Sequence, residues 1–140
     1  MKVFFDTNIL VYLFDGGSPA KQARARDLLE RHTRAGETLL STQVLQEFYV
    51  AVTRKLAAPL PLDVALETLR ELAILPIVRV DTPLILSAAK FARDRQLSFR
   101  DALVVQAAIE GGATRLYSED MQHGQQFESV TIENPLRSEV

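Results

Sequence analysis

Short apolar runs alternate with longer amphipathic stretches along almost the whole chain. The short runs are rich in β-branched or aromatic residues and predict strands at 3–5, 37–41, 77–80, 115–118 and 130–132. The stretches between them repeat their apolar residues at helical spacing. Because parallel strands need long crossover connections, this alternation predicts an α/β protein whose parallel sheet is covered by helices on both faces.

Length and composition narrow the class of protein further. The 140 residues suit one domain, predicted to span 1–140, and the absence of cysteine excludes disulfides and thiolate-bound metals. No apolar run is long enough to span a membrane and the N-terminus does not resemble a signal peptide, so we expect a cytoplasmic protein without membrane association. The net charge of −2 provides no bulk basic surface, so contact with nucleic acid needs a local patch or a metal ion.

Four acids stand at predicted junctions between elements. Asp6 follows the first strand, Glu47 borders the apolar stripe of a helix, Asp101 lies in a first helical turn, and Asp120 follows the fourth strand. Each of the first three also has an ordinary structural explanation. Asp6 can cap a helix, Glu47 can reach solvent, and Asp101 is spaced from Ser98 as in a capping box. Position alone leaves both interpretations open.

Four carboxylates in one place would repel each other unless a cation bound them, and the repulsion would raise the pKa of at least one. Oxygen ligands without cysteine, and with few histidines, favour Mg²⁺ or Mn²⁺ over zinc or copper. Such an ion can activate a water molecule and stabilise charge on a phosphoryl group. If the four acids meet, they therefore predict metal-assisted phosphoryl chemistry.

Four sequence blocks contain these acids. They are Phe5-Asp6-Thr7-Asn8-Ile9-Leu10, Gln46-Glu47-Phe48, Arg100-Asp101-Ala102 and Tyr117-Ser118-Glu119-Asp120-Met121-Gln122-His123-Gly124. In their order and spacing they resemble the PIN-domain nucleases, and most of all the bacterial VapC-type toxins of toxin–antitoxin systems. The resemblance covers nearly the whole chain. Each block alone is a weak signal, but four in order at element junctions form a strong one.

The resemblance implies a three-layer PIN-like fold with the parallel strand order 3-2-1-4-5. That order has its switch point between the first and fourth strands, so Asp6 and Asp120 would share one crevice. It further implies a Mg²⁺- or Mn²⁺-dependent endoribonuclease whose metal-binding and catalytic acids are Asp6, Glu47, Asp101 and Asp120.

Nearby polar residues match family positions as well. Thr7, Asn8 and Ser118 are interpreted as orienting ligands or water, with helix capping as the alternative. Arg100 could contact a phosphate, although an exposed arginine in a first helical turn is equally consistent with the sequence.

The leading hypothesis is an RNA-cleaving toxin of a type II toxin–antitoxin system, held inactive by a cognate antitoxin. Alternatives are a PIN-domain RNA-processing nuclease without an antitoxin and a catalytically silent PIN interaction module. The family commonly forms dimers, so a homodimer is expected. The apolar runs 4–5, 9–14 and 48–50 are predicted to contribute to a groove for an antitoxin helix or to a dimer face, with core packing as the alternative.

Overall fold

A sheet forms the middle layer of the computed structural model, which describes residues 1–137. Within these residues it has six strands in the order β3-β2-β1-β4-β6-β5. Neighbouring strands are parallel except for β5 and β6, which are antiparallel. The strands are β1 (Lys2–Phe5), β2 (Thr38–Ser41), β3 (Ile77–Val78), β4 (Ala113–Tyr117), β5 (Gln126–Phe127) and β6 (Val130–Glu133). Residues 138–140 of the predicted domain lie outside the described residues.

The predicted α/β class is confirmed, and the predicted strand order is correct but incomplete. The five predicted strands correspond to β3-β2-β1-β4-β6, and the sheet adds β5 beyond β6. None of the predicted strands includes β5, in which Gln126 pairs with Thr131 and Phe127 pairs with Val130. Two residues are too few to show the alternation by which strands are recognised.

Helices connect the strands, as the helical spacing of the intervening stretches predicts. The helix after β2 ends as a π-helical segment at Ala51–Lys55. At the helix starts, Ser18 makes no side-chain cap hydrogen bond, whereas Asp81 accepts from the backbone N–H of Leu84. The helices are α1 (Thr7–Val11, followed by a 3-10 turn at Tyr12–Phe14), α2 (Pro19–Arg34), α3 (Thr42–Val50), α4 (Leu62–Leu72), α5 (Thr82–Arg95) and α6 (Phe99–Glu110).

Strand β1 is buried on both faces. Its consecutive residues Val3, Phe4 and Phe5 are all fully buried, and because successive side chains point to opposite faces, both faces of the sheet must be covered. Helix α6 packs against β2, β3, β4 and β6. Within the described part of the chain, no helix has the length and apolar character needed to cross a membrane.

The centre of the sheet determines where the acids lie. Strands β1 and β4 run parallel with Phe5 opposite Tyr117, and the backbone N–H of Asp6 donates to the carbonyl of Tyr117 at 2.9 Å. Asp6 and Ser118 therefore leave the sheet side by side at its carboxyl edge. This edge is the place where open parallel sheets bind ligands.

Candidate active site

Asp6 is a fully buried carboxylate at the end of β1. Its Oδ1 accepts from the backbone N–H of Thr7 at 2.7 Å, which confirms the predicted helix cap. Its Oδ2 accepts from the Ser118 hydroxyl at 2.8 Å. A buried carboxylate also needs a compensating positive charge. Arg100 supplies it through Nη2 to Oδ1 at 2.6 Å and Nη1 to Oδ2 at 3.1 Å.

Arg100 lies among three of the four predicted acids. Besides Asp6, it contacts Glu47 through Nη2 to Oε1 at 2.7 Å and through Nε to Oε2 at 3.2 Å. Its Nη1 also donates to Asp101 Oδ1 at 3.2 Å. We call Asp6, Glu47, Asp101 and Arg100 the acid–arginine cluster. It joins the end of β1, the middle of α3 and the first turn of α6.

Of the two interpretations left open for Arg100, an exposed arginine in a first helical turn does not describe its side chain. It does lie in the first turn of α6, but its side chain points into the cluster and is 34% exposed. Three carboxylates provide a strong local potential, and the planar guanidinium has donors in the fork geometry that carboxylates accept. A phosphate contact by Arg100 stays a prediction.

The pKa directions reflect this pairing. Burial tends to raise the pKa of Glu47, but hydrogen bonds from Arg100 and Thr7 outweigh it, and the pKa lies below its ordinary value. Burial tends to lower the pKa of Arg100, but its bonds to Asp6 and Glu47 raise it above the usual value for arginine. Repulsion between acids would shift a carboxyl upward, so Glu47 shows the opposite direction because a cation lies beside it.

Asp101 takes part both in the cap of α6 and in the acid–arginine cluster. Its backbone N–H donates to the Ser98 hydroxyl at 3.1 Å, which confirms the predicted cap at the start of α6. Its carboxylate does not take part in that bond and accepts from Arg100 instead. The cap therefore positions the backbone of Asp101 while the side chain remains available to the cluster.

Asp120 lies at the rim and is linked to the cluster indirectly. Its Oδ2 accepts from Asn8 Nδ2 at 2.9 Å, and its backbone N–H donates to the Ser118 hydroxyl at 3.2 Å. Ser118 in turn donates to Asp6, as described above. Asn8 Oδ1 also accepts from the backbone N–H of Glu119 at 3.2 Å. Asn8 and Ser118 thus hold the segment after β4 against the start of α1.

A cleft of about 770 Å³ opens over this region. Its lining is partly polar and partly apolar. The polar lining residues include Thr7, Asn8, Glu47, Arg100 and Asp120, and the apolar ones, from α1, the end of α3 and the segment that follows it, include Val11, Val50, Ala51 and Leu56.

The donor chemistry of the cluster fits Mg²⁺ or Mn²⁺, since every acidic ligand offers oxygen. The arrangement is less simple. Within residues 1–137, no group of three or more His, Cys, Asp or Glu side chains is disposed to hold a metal ion directly. The guanidinium of Arg100 contacts the oxygens that such an ion would use on Asp6, Glu47 and Asp101.

Two supporting features were not recognised in the sequence. Gln43 is buried and its Nε2 donates to Glu47 Oε2 and to the carbonyl of Arg100, both at 3.3 Å. Its position four residues before Glu47 on α3 is the signal that could have found it. Glu119, adjacent to Asp120, pairs instead with Lys21 at 2.7 Å and accepts from the Tyr12 hydroxyl at 2.6 Å.

A protein-family model matches most of the chain. The model of the PIN domain matches residues 3–126, and the chain therefore belongs to the PIN domain family. No curated protein matches the sequence at a significant level.

Solved structures of similar fold include a toxin and a toxin–antitoxin complex. VapC20 from Mycobacterium tuberculosis, a toxin that cleaves the sarcin–ricin loop, is 20% identical with a TM-score of 0.64, and the match covers 85% of this chain and 90% of that chain. A toxin–antitoxin complex from Klebsiella pneumoniae is 19% identical with a TM-score of 0.70, and the match covers 96% of this chain and 98% of that chain. VapBC2 from Rickettsia felis, bound to a promoter DNA fragment, is 16% identical with a TM-score of 0.65, and the match covers 95% of this chain and 98% of that chain. At these identities the similarity establishes the fold.

Proposed function

We propose that this PIN domain is a Mg²⁺- or Mn²⁺-dependent endoribonuclease that hydrolyses RNA phosphodiester bonds as the toxin of a type II toxin–antitoxin system. The observation that carries the proposal is the convergence of Asp6, Glu47 and Asp101 on one cation at the carboxyl edge of the sheet. RNA as the substrate class is supported by VapC20, a similar fold described as cleaving the sarcin–ricin loop.

Asp6, Glu47 and Asp101 are the residues that would hold the ion. When bound, a divalent ion lowers the pKa of a coordinated water and offsets negative charge on the phosphoryl group. Hydrolysis joins the water oxygen to phosphorus, breaks the bond from phosphorus to the leaving ribose oxygen, and requires a base for the water proton. Asp120 is suited to take that proton, because it lines the cleft and, among the described residues, its carboxylate accepts only from the neutral side chain of Asn8.

Substitution of the acids tests this proposal. Asp6→Asn and Asp101→Asn should each abolish Mg²⁺-dependent cleavage of RNA, because each removes a charged ligand of the ion. Asp94→Asn is the matched control, since Asp94 pairs with Arg93 on the exposed surface of α5. Circular dichroism should show that all three variants fold. Cleavage by Asp6→Asn or Asp101→Asn at the wild-type rate would exclude that acid from the mechanism.

One observation favours a second function, a catalytically silent interaction module. Arg100 already compensates part of the charge of the acids, and a cluster that keeps its own cation permanently would not bind a metal. The same cleavage assay separates the two functions, because a silent module leaves RNA intact at every Mg²⁺ or Mn²⁺ concentration.

An antitoxin partner, a homodimer and a cytoplasmic location belong to the same proposal. The antitoxin is supported by the complex from Klebsiella pneumoniae. Much of the predicted apolar groove is core instead, since Phe4, Phe5 and Phe48 are fully buried. Val11 and Val50 do line the cleft, and Val50 is 45% exposed. Co-purification from the native operon should recover a small antitoxin, and a monomer in light scattering with no co-purifying protein would contradict both partners.

A further inference from the structure

The carboxylate oxygens of Asp6 and Glu47 have no free acceptor capacity in this structure. A carboxylate oxygen has two lone pairs. Each oxygen of Asp6 accepts one bond from Arg100 and one from elsewhere, namely the Thr7 backbone or the Ser118 hydroxyl. Each oxygen of Glu47 likewise accepts one bond from Arg100 and one from the Thr7 hydroxyl or from Gln43.

Arg100 is the only donor common to all four of these oxygens. The other donors cannot leave easily. The amide of Thr7 is part of the first turn of α1, and the Thr7 side chain that carries the hydroxyl is buried. Ser118 is fully buried, and Gln43 is buried on α3. The side chain of Arg100 is long and lines the cleft, so it can turn outward without moving the backbone of α6.

We propose that Arg100 is a built-in competitor of the divalent ion: its guanidinium occupies the acid–arginine cluster when no metal is bound, and it must swing into the cleft before Asp6 and Glu47 can bind one. This rests on the proposed metal-dependent function. The exchange is favourable in charge, because three carboxylates face a single positive charge in the cluster and a divalent ion compensates more of it. The apparent metal affinity is then reduced by the fraction of molecules in which Arg100 has left the acids.

Metal binding by a variant without the charge of Arg100 tests whether Arg100 and the metal ion compete for the same acids. Mn²⁺ binding to the metal-free full chain is measured by electron paramagnetic resonance of the free ion and by titration calorimetry. Arg100→Gln should bind Mn²⁺ at least about tenfold more tightly than wild type, which is the effect of a competing state populated about 90% of the time. Arg93→Gln, which removes an exposed arginine paired with Asp94, should bind as wild type does.

The outcomes separate this inference from the proposed function. Equal or weaker Mn²⁺ binding by Arg100→Gln, with clear binding by wild type, overturns the competition and leaves the metal site intact. Absence of binding by wild type and variant alike overturns both. Tight binding confined to Arg100→Gln supports the competition.

A second measurement applies if Arg100→Gln does not fold. The Arg100 Nε–H signal in a nitrogen–proton correlation spectrum can be assigned from its loss in Arg100→Lys. It should shift strongly when wild type is saturated with Mg²⁺, because Nε loses its bond to Glu47 Oε2. A signal that stays in place at saturating Mg²⁺ overturns the competition. Arg100→Lys itself should bind Mn²⁺ with intermediate affinity, since an ammonium cannot reach all four oxygens.

Discussion

Two basic side chains pair with acids beside the same cleft, and they do so very differently. Arg100 reaches three carboxylates, including the fully buried Asp6. Lys21 reaches one, Glu119, in a pair whose side chains are 41% and 24% exposed. The planar guanidinium supplies a bond to each of several oxygens, whereas the ammonium acts as a single point charge. We call the surroundings of Arg100 the buried region and those of Lys21 the exposed region. Geometry and burial decide in which of them the stability of the fold depends on the cation.

The pKa directions alone do not reveal this difference. Burial raises the pKa of Glu119, but the bonds from Lys21 and Tyr12 lower it below its ordinary value, as happens for Glu47. The bond to Glu119 also raises the pKa of Tyr12 and of Lys21. The pKa of both carboxylates is lowered. Removing one partner of a buried ion pair nevertheless destabilises a protein much more than removing one partner of an exposed pair. Stability measurements are needed to distinguish them.

The largest effect is expected from removing the cation of the buried region. In chelator, Arg100→Gln should lower the free energy of unfolding by about 3 kcal/mol, because it leaves Asp6 and Glu47 without compensating charge. Mn²⁺ should restore most of the loss, since a ligand stabilises the state that binds it. Chemical denaturation with chelator and with Mn²⁺ checks both statements. Unchanged stability in chelator would show that the cluster does not depend on Arg100.

An intermediate effect is expected at Glu47. Glu47→Gln should lower the free energy of unfolding by about 1–2 kcal/mol at neutral pH, since it weakens a charged hydrogen bond to Arg100. The pKa of Glu47 is lowered from 4.5 in the folded protein, so its contribution is fully present above that value and is lost as the pH falls through the lower folded value. The difference between wild type and variant should shrink over that range. A difference independent of pH would contradict the assigned pKa direction.

Control variants sharpen the Glu47 experiment. Glu67→Gln alters a surface glutamate whose only ion pair within residues 1–137 is with Arg70, three residues away on the exposed face of α4. Its stability should follow that of wild type at every pH, because exposed pairs of this kind contribute little.

The smallest effect is expected in the exposed region. Lys21→Met keeps the apolar stem but removes the charge beside Glu119, and it should destabilise the protein less than Glu47→Gln does. Added salt should reduce this small loss further, since exposed charges are screened, while the loss in Arg100→Gln should change little. Denaturation at low and high salt measures both. A loss at Lys21 as large as that at Arg100 would remove the distinction between the two regions.

Local signals in the sequence account for much of the site. The apolar run before Asp6 and the cap at Ser98 position two of the acids, and both are confirmed in the structure. Strand ends and helix caps depend on neighbouring residues, so they can be read over short windows. The order of the strands came from the resemblance of four blocks to a known family. The two-residue strand β5 and the π-helical segment at Ala51–Lys55 have no comparable local signal.

By itself, the sequence determined that acids follow the central strands and lie at the starts of two helices, because strand period and helix capping act between near neighbours. Only the tertiary structure decided which cation meets those acids. Arg100 is separated by 94 residues from Asp6 and by 53 from Glu47, and nothing in its own helical turn indicates an inward side chain. Its orientation results from the electrostatic potential of carboxylates that distant segments bring together, and that potential exists only once the sheet and α3 have assembled.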